Sequence, residues 1–359
     1  MIDDMAVLRQ NYSLRACLVD GGVALAVNGK PSLTLGGDYQ LVLRVLRSVD
    51  GTRTVGELRD FLCESESMSA GDVYDVLNFA IANNYLQYES ARVDSALSGR
   101  AAQKWDRQLK YLSEAVGGDM QVACEMQRRL LESHVLQIGV GGVGGYMALT
   151  LAMVGVGKMT LVDHDLIELS NTSRQVLYTE AEVGTAKVDI AKAEILRRNP
   201  SMVVNAVECL IDSEEKMQEV IRETQTKLGH ISLVILNADT PRGRICHWVD
   251  GAAGKSRVPS MYVYPHGGTK VTVGPLVIPG RTKSYAEMIP ESAGDFWDPE
   301  VAEINARFEA NIMDPYNGLA AKMGAVEALK FLTGITPPFV LEKTITVDTQ
   351  DWTLDSHDL

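Results

Sequence analysis

The stretch Val135–Leu166, VLQIGVGGVGGYMALTLAMVGVGKMTLVDHDL, decides the fold. It reads as a buried strand, a glycine-rich turn, an apolar helix and a second strand that ends in acidic residues. That order is the opening βαβ unit of a nucleotide-binding sheet. The turn is Gly139-Val-Gly141-Gly142-Val-Gly144-Gly145. Glycine accepts positive φ and, lacking a Cβ, lets backbone N–H groups come close to a phosphate. Asp163, at the end of the second strand, is placed to accept from a ribose hydroxyl. On these residues alone, a dinucleotide used for hydride transfer and ATP used for activation fit equally.

From Val135 to the C-terminus, strand and helix patterns alternate. The candidate strands are VLQIGV, KMTLVD, VVNAVEC, SLVILNA and VPSMYVYP. Such alternation predicts an α/β fold, Rossmann-like, with a mostly parallel sheet covered by helices on both faces. Upstream, YSLRACLV and GVALAVNG read as short strands. Val42, Val45, Leu46 and Val49 then recur with helical spacing. Thr54 and Glu57 form a capping-box pattern. A third helix starts near Ser69, with Val73, Val76, Leu77, Ala80 and Ile81 on one face. Strands plus three short helices in about 90 residues predict a small winged-helix-like domain. The expected organisation is that domain over 1–92, a charged helical connector over 93–132 and a nucleotide-binding domain over 133–359.

Composition narrows the partners. The chain has 359 residues, 46% hydrophobic and 23% charged, which suits a globular chain with a large core. Its formal charge of −13 opposes nucleic acid binding. No apolar run reaches the roughly 18 residues that span a bilayer, so no membrane role is expected. The start MIDDMAVLRQ is acidic where a secretory signal is basic, so a cytoplasmic location is expected. Cys17, Cys63, Cys124, Cys209 and Cys246 are scattered, with no CxxC pair. They read as reduced thiols.

The residues beyond the second strand separate the two nucleotide readings. LVDHDLIELSN continues into TSRQVLYTEAEVGTAKVDIAKAEILRRNP. Asp163, Asp165, Asn171, Arg174, Gln175 and Lys187 therefore fall close together. A hydride-transfer site needs few charges beside its nicotinamide. A nucleotidyl-transfer site needs cations around phosphates, because charge builds on the transferred and departing groups. Arg174 and Lys187 suit that task.

With these residues the chain resembles the ubiquitin-activating, E1-like adenylating enzymes of the ThiF/MoeB superfamily. The resemblance covers about residues 100–348. It rests on GxGGxG at Gly139–Gly144, DHD at Asp163–Asp165, LSNTSRQVLYTEAEVGTAK, NADTP with Asp239, and WDRQ with Arg107. It implies that Gly139, Gly141, Gly142 and Gly144 hold the ATP phosphates and that Asp163 holds the ribose, with Asp165 beside it. It implies that Arg174 and Lys187 contact phosphates, Asn171 and Gln175 support the site, and Asp239 holds Mg²⁺. Arg107 would act as an arginine finger in the second site of a homodimer.

Two departures from the family matter. Where many relatives carry a first CxxC pair, this chain reads Ser284-Tyr-Ala-Glu287, and the tail TVDTQDWTLDSHDL offers no second pair. No zinc site is expected. Between Arg281 and Asn317 there is no cysteine to form a thioester. Cys246, in GRICHWVD, reads as a core helix position.

Residues 1–90 hold 12 acidic and 7 basic side chains, an excess of five negative charges that disfavours a DNA reader. The segment LRSVDGTRTVGELRDFL instead resembles the PqqD-like leader-peptide recognition elements of ribosomal peptide modification, which bind an extended peptide by β-augmentation. The layout resembles the peptide-antibiotic branch of the family, pantocin-type before microcin C7-type. It implies adenylation of a precursor-peptide carboxylate, a Glu side chain, followed by cyclisation within the peptide. The rivals are adenylation of a peptide C-terminus, activation of a sulfur-carrier protein, and an NAD-binding DNA regulator. Candidates for steps after adenylation are His266, Lys270, Arg307, Tyr316 and Asn317.

Overall fold

A computed structural model of the chain describes residues 2–28, 30–89, 97, 99–265, 268–290, 300, 303 and 312–359; for Tyr264 and Pro265 it describes the backbone alone. His266 and Arg307 lie outside the described residues. The chain forms two compact units, Met1–Met126 and Gln127–Leu359.

The first unit contains β1 (Leu8–Gln10), β2 (Arg15–Val19), β3 (Gly22–Ala26), β4 (Leu33–Gly36), α1 (Tyr39–Ser48), α2 (Val55–Glu66), α3 (Ala70–Ala82), β5 (Leu86–Tyr88), α4 (Gly99–Lys104) and α5 (Asp106–Ala115). Helix α6 (Met120–Glu132) crosses the boundary between the units. Thr54 caps α2 by accepting from the Glu57 N–H, and the Glu57 carboxylate accepts from the Thr54 N–H at 2.8 Å. The expected capping box is therefore formed. Ser69 caps α3 in a one-sided way, accepting from the Asp72 N–H. Val45, Leu46, Leu58, Leu62, Val73 and Leu77 close one core with Leu8 and Leu25. Strands β2, β3 and β4 form an antiparallel sheet with β3 in the middle. Every residue of the edge strand β2 is exposed. Strands β1 and β4 are additions to the elements expected from sequence. Each is too short to show a period: β1 has three residues and β4 has four.

The second unit continues with β6 (His134–Ile138), α7 (Gly142–Val154), β7 (Lys158–Asp163), α8 (Lys187–Arg198), β8 (Val203–Glu208), α9 (Glu214–Leu228), β9 (Leu233–Leu236), α10 (Arg244–Lys255), β10 (Ser260–Pro265), β11 (Lys270–Val277), α11 (Tyr285–Met288), α12 (Asp314–Thr333), β12 (Lys343–Asp348) and β13 (Thr353–Asp358). One eight-stranded sheet has the order β13-β12-β11-β10-β9-β6-β7-β8. Its β10-β9-β6-β7-β8 portion is parallel and contains all five expected strands. Strands β11, β12 and β13 extend it antiparallel. Helices α7, α8 and α12 pack on one face around Met147, Leu151, Ile195 and Ala325. Helices α9 and α10 cover the other around Met217, Ile221 and Val249. No helix among the described residues is long and apolar enough to cross a membrane.

In the parallel portion the strand order reverses direction between β6 and β9. Outside the carboxyl ends of strands at such a point, two loops diverge and leave a crevice. The glycine turn after β6 and the NADTP stretch after β9 meet there.

Candidate functional site

A cleft of about 630 Å³ opens at this reversal, lined by the ends of β6, β7 and β9 and by the loop after β8. It gathers Gly139, Gly141, Gly142, Asp163, Asp165, Asn171, Arg174, Gln175, Lys187 and Asp239. Two expected residues are elsewhere. Gly144 lies within α7, where an added Cβ would fall 2.1 Å from the Gly139 carbonyl oxygen; it serves close turn packing. Arg107 belongs to the first unit, on α5, with a side chain 94% exposed and 3.9 Å from Asp106.

The turn itself is built so that its carbonyls face the protein. Gly139 has φ +89°, a left-handed geometry that glycine adopts without strain. Its carbonyl and that of Gly144 both accept from Gln137 Nε2, at 3.0 and 2.8 Å. The Val140 carbonyl accepts from the Tyr178 hydroxyl at 2.8 Å. The Gly141 carbonyl accepts from the Gly145 N–H at 2.8 Å. With these acceptors occupied internally, the helix α7 N-terminus presents its orphan N–H groups and its positive dipole end to an anion.

The acids and cations are arranged around that turn. Asp163 accepts from the Val140 N–H at 2.8 Å and from the Asp165 N–H at 3.0 Å. Lys187, the first residue of α8, is buried, and its Nζ lies 2.6 Å from Asp165 Oδ2. Ligand atoms of Asp163, His164 and Asp165 approach within 4.8 Å of one another, but both carboxylates already hold these partners. Asn171 shapes the short turn that carries Arg174: its Oδ1 accepts from the Glu168 N–H, and its carbonyl accepts from the N–H groups of Arg174 and Gln175. The Arg174 guanidinium rests on the Ser170 carbonyl at 2.7 Å. Gln175 is buried, and its Oε1 has no hydrogen-bond partner. Asp239 is an exposed carboxylate just beyond β9.

Several contributors were not singled out in the sequence. Gln137 and Tyr178 hold the turn's carbonyls. Tyr178 also reaches the Lys187 carbonyl at 3.3 Å, linking lysine and turn. Burial, then the negative charges of Asp163, Asp165 and Glu182, push the Tyr178 phenol far above its ordinary value. Cys209, Leu210 and Ile211 form a largely apolar wall. Burial pushes the Cys209 thiol up, with Lys216 partly opposing, so it is not an activated thiolate. Cys246 is buried on α10, as expected of a core position. Tyr316 packs beside the large core, whereas Asn317 lines the cleft. Lys270 pairs distantly with Asp348, at 3.9 Å.

A turn of inward carbonyls at a helix N-terminus, two cations and a separate carboxylate form a cleft whose chemistry suits a polyphosphate. The chain belongs to the ThiF family, whose model matches residues 106–358. It is 33% identical over 172 residues to the adenylyltransferase and sulfurtransferase MOCS3 of Arabidopsis thaliana, covering 47% of this chain and 34% of that protein. The chain thus spans about a third of that relative's length. Its fold matches that of the Escherichia coli microcin C7 biosynthetic enzyme MccB in the succinimide complex. There the TM-score is 0.74 and identity 22%, covering 99% of this chain and 97% of that one. The fold of PaaA matches with a TM-score of 0.72 at 23% identity, covering 96% and 98%. The matches to both structures extend over the N-terminal unit as well as the ThiF region.

Proposed function

We propose that the chain is an ATP- and Mg²⁺-dependent enzyme that adenylates a carboxylate of a ribosomally made precursor peptide, a Glu side chain, and promotes cyclisation within that peptide. The observation that carries this is the cleft: a main-chain phosphate cradle with Arg174, Lys187 and Asp239 on its walls. In the first step a carboxylate oxygen attacks the α-phosphorus of ATP. The bond from that phosphorus to the bridging oxygen breaks, and pyrophosphate leaves with the electron pair. Arg174, Lys187 and the α7 N-terminus neutralise the departing charge. In the second step an amide nitrogen of the same peptide attacks the acyl carbon. AMP departs with its oxygen, and the amide proton goes to solvent. The peptide has then lost the elements of one water.

Hard carboxylate oxygens suit Mg²⁺, and Asp239 is an exposed carboxylate of the cleft, with the Thr240 hydroxyl 3.5 Å away. There the ion would supply further positive charge to the phosphates. No structural zinc is expected, since the chain has no CxxC pair. The peptide substrate is supported by the likeness of the whole chain to MccB, which has been solved with MccA. The fully exposed edge strand β2 suits a leader that binds residues 1–92 by strand addition. Arg107, exposed to solvent on its own unit, fits a finger that completes the site of a second copy in a symmetric homodimer. With an excess of acidic side chains in residues 1–90, nucleic acid is not the expected partner. The expected location is the cytoplasm, where ATP is available.

The test is intact-mass measurement of short peptides encoded by reading frames next to this chain's gene, incubated with the protein, ATP and Mg²⁺. Loss of water, with AMP and pyrophosphate released, is expected. AMP retained on the peptide would replace cyclisation with C-terminal adenylation of the microcin C7 type. No ATP-dependent change in the peptide, with ATP-dependent adenylation of a small protein ending in Gly-Gly, would refute the peptide substrate.

A further inference from the structure

Helix α12 enters the cleft with its first turn. Ile312, just before it, and Asn317, within it, both line the cavity. Asn317 is 2% exposed. Its Nδ2 donates to the Arg174 carbonyl at 3.2 Å. The same amide lies directly over the glycine turn: a Cβ added at Gly142 would fall 2.3 Å from Asn317 Nδ2. The turn of α12 is itself fixed to α7, because the Tyr146 hydroxyl donates to Asp314 at 2.8 Å. Asn317 therefore bridges the helix that begins at the phosphate turn and the segment that carries the arginine.

That bridge has a chemical use. The short turn 169–173 ends at Arg174, whose backbone is already out of helical geometry, with φ −149°. A guanidinium on a flexible stem reaches a fixed phosphate only when the backbone beneath it is held. Asn171 holds the amide side of that backbone, accepting the Arg174 N–H at 3.0 Å. Asn317 holds the carbonyl side. Between them, both main-chain hydrogen-bonding groups of Arg174 are satisfied by neighbours of the cleft.

We propose that Asn317 is a positioning residue for the nucleotide: it acts through the Arg174 backbone, fixing the stem from which the guanidinium reaches a phosphate. The inference rests on the function proposed above, in which Arg174 contacts phosphate. The bland alternative is that the buried amide only supports α12 packing. The two differ in one respect. A packing residue affects the protein whether or not the arginine side chain is present. A positioning residue has no nucleotide effect left once the guanidinium is gone.

The experiment is a double-mutant cycle on the full chain, with Mg·ATP affinity read by calorimetry and folding read by thermal melting. Arg174→Ala, Asn317→Leu and the double variant are compared with the unaltered protein. Asn317→Leu keeps the approximate size of the side chain and removes the donor without placing a charge beside the phosphates, and the melts check that it folds. Asn317→Ala provides a second truncation. Asn317→Leu and Asn317→Ala should each weaken ATP binding on the order of tenfold, the scale of one lost hydrogen bond. In the Arg174→Ala background neither should weaken it further. An equal loss in both backgrounds, or no loss in the unaltered background, overturns the positioning role. If Arg174→Ala leaves ATP binding unchanged, the phosphate role of Arg174 fails, and this inference with it. Absence of ATP binding by the unaltered chain would refute both.

Discussion

Replacing Tyr178 by Phe tests whether the phosphate turn is held from behind. Tyr178 is 4% exposed and donates to the Val140 carbonyl at 2.8 Å and the Lys187 carbonyl at 3.3 Å. Phenylalanine keeps the ring, so packing around it changes little. What disappears is the hydroxyl, and Val140 is fully buried, so its carbonyl is left without that partner. An unpaired buried acceptor costs about 1–3 kcal/mol. In a unit of this size each kcal/mol lowers the melting temperature by roughly 2–4 °C. Because Val140 sits between Gly139 and Gly141, the turn should also loosen, weakening Mg·ATP binding by ~5–10-fold, again the scale of one hydrogen bond. The phenol is pushed upward by burial and by the acids around it, so it remains a donor throughout neutral pH. The effect should accordingly be the same from about pH 6 to pH 8. Thermal melts with and without Mg·ATP provide the assay, since a ligand that binds the native state raises its stability with concentration. A melting temperature within about 1 °C of the unaltered protein, together with an unchanged ATP-induced shift, would show that the hydroxyl is not what holds the turn.

Three further outcomes are expected. Gly144→Ala should abolish Mg·ATP binding, because its Cβ would fall 2.1 Å from the Gly139 carbonyl oxygen; Gly254→Ala, with open space at its Cβ, should be neutral or stabilising by up to ~1 kcal/mol. Circular dichroism and ATP calorimetry on the pair separate turn sterics from a general intolerance of glycine replacement. Asp250 accepts from the N–H groups of Tyr285 and Ala286, and burial raises its carboxyl above its ordinary value against the pull of those bonds. A folded pKa above the unfolded one contributes stability that is full below the unfolded value and lost as pH rises through the folded value. Acidification from about pH 7 to pH 4 should thus raise the melting temperature of the unaltered protein relative to Asp250→Asn. A constant difference between the two would exclude a titrating Asp250. Finally, Arg107→Ala should lower adenylation by roughly 10²–10³-fold, and mixing it with Asp239→Ala subunits should restore activity through one intact composite site. Proven subunit exchange without recovery would exclude action in trans.

The parallel heart of the sheet was legible because each strand from VLQIGV to VPSMYVYP is a short apolar run between turn residues. The helix starts at Thr54 and Ser69 were legible because the capping residues declare themselves. Strand β11 was not. Gly274 and Pro275 interrupt TKVTVGPLV, and such residues argue against a strand even though the chain here continues through them. In the tail only TITV carries strand character, and β13 is exposed along its whole length, so no buried face marks it. At the cleft, Arg174, Lys187 and Asp163 stood out through type and spacing, and Asp239 through the family resemblance alone. Gln137 and Tyr178 differ because their partners are main-chain carbonyls, which leave no mark in a sequence; Asn317 stood among the candidates, but its bond to the Arg174 carbonyl did not show. Gly144 was legible as part of a motif, but its place behind the turn depends on a Gly139 oxygen that only the folded turn brings near.

The inward carbonyls of the glycine turn have one more consequence. The shape of the proposed nucleotide site is set from behind by three buried side chains: Gln137 and Tyr178 hold the turn's carbonyls, and Asn317 holds the Arg174 carbonyl. Substitutions on the outer rim cannot retune it, and substitutions inside it are limited to those that leave the turn's geometry intact. The surfaces that would meet a peptide, such as the exposed strand β2, are free of that constraint. On the function proposed above, peptide specificity can change at that periphery while the ATP-consuming half of the reaction is left as it stands.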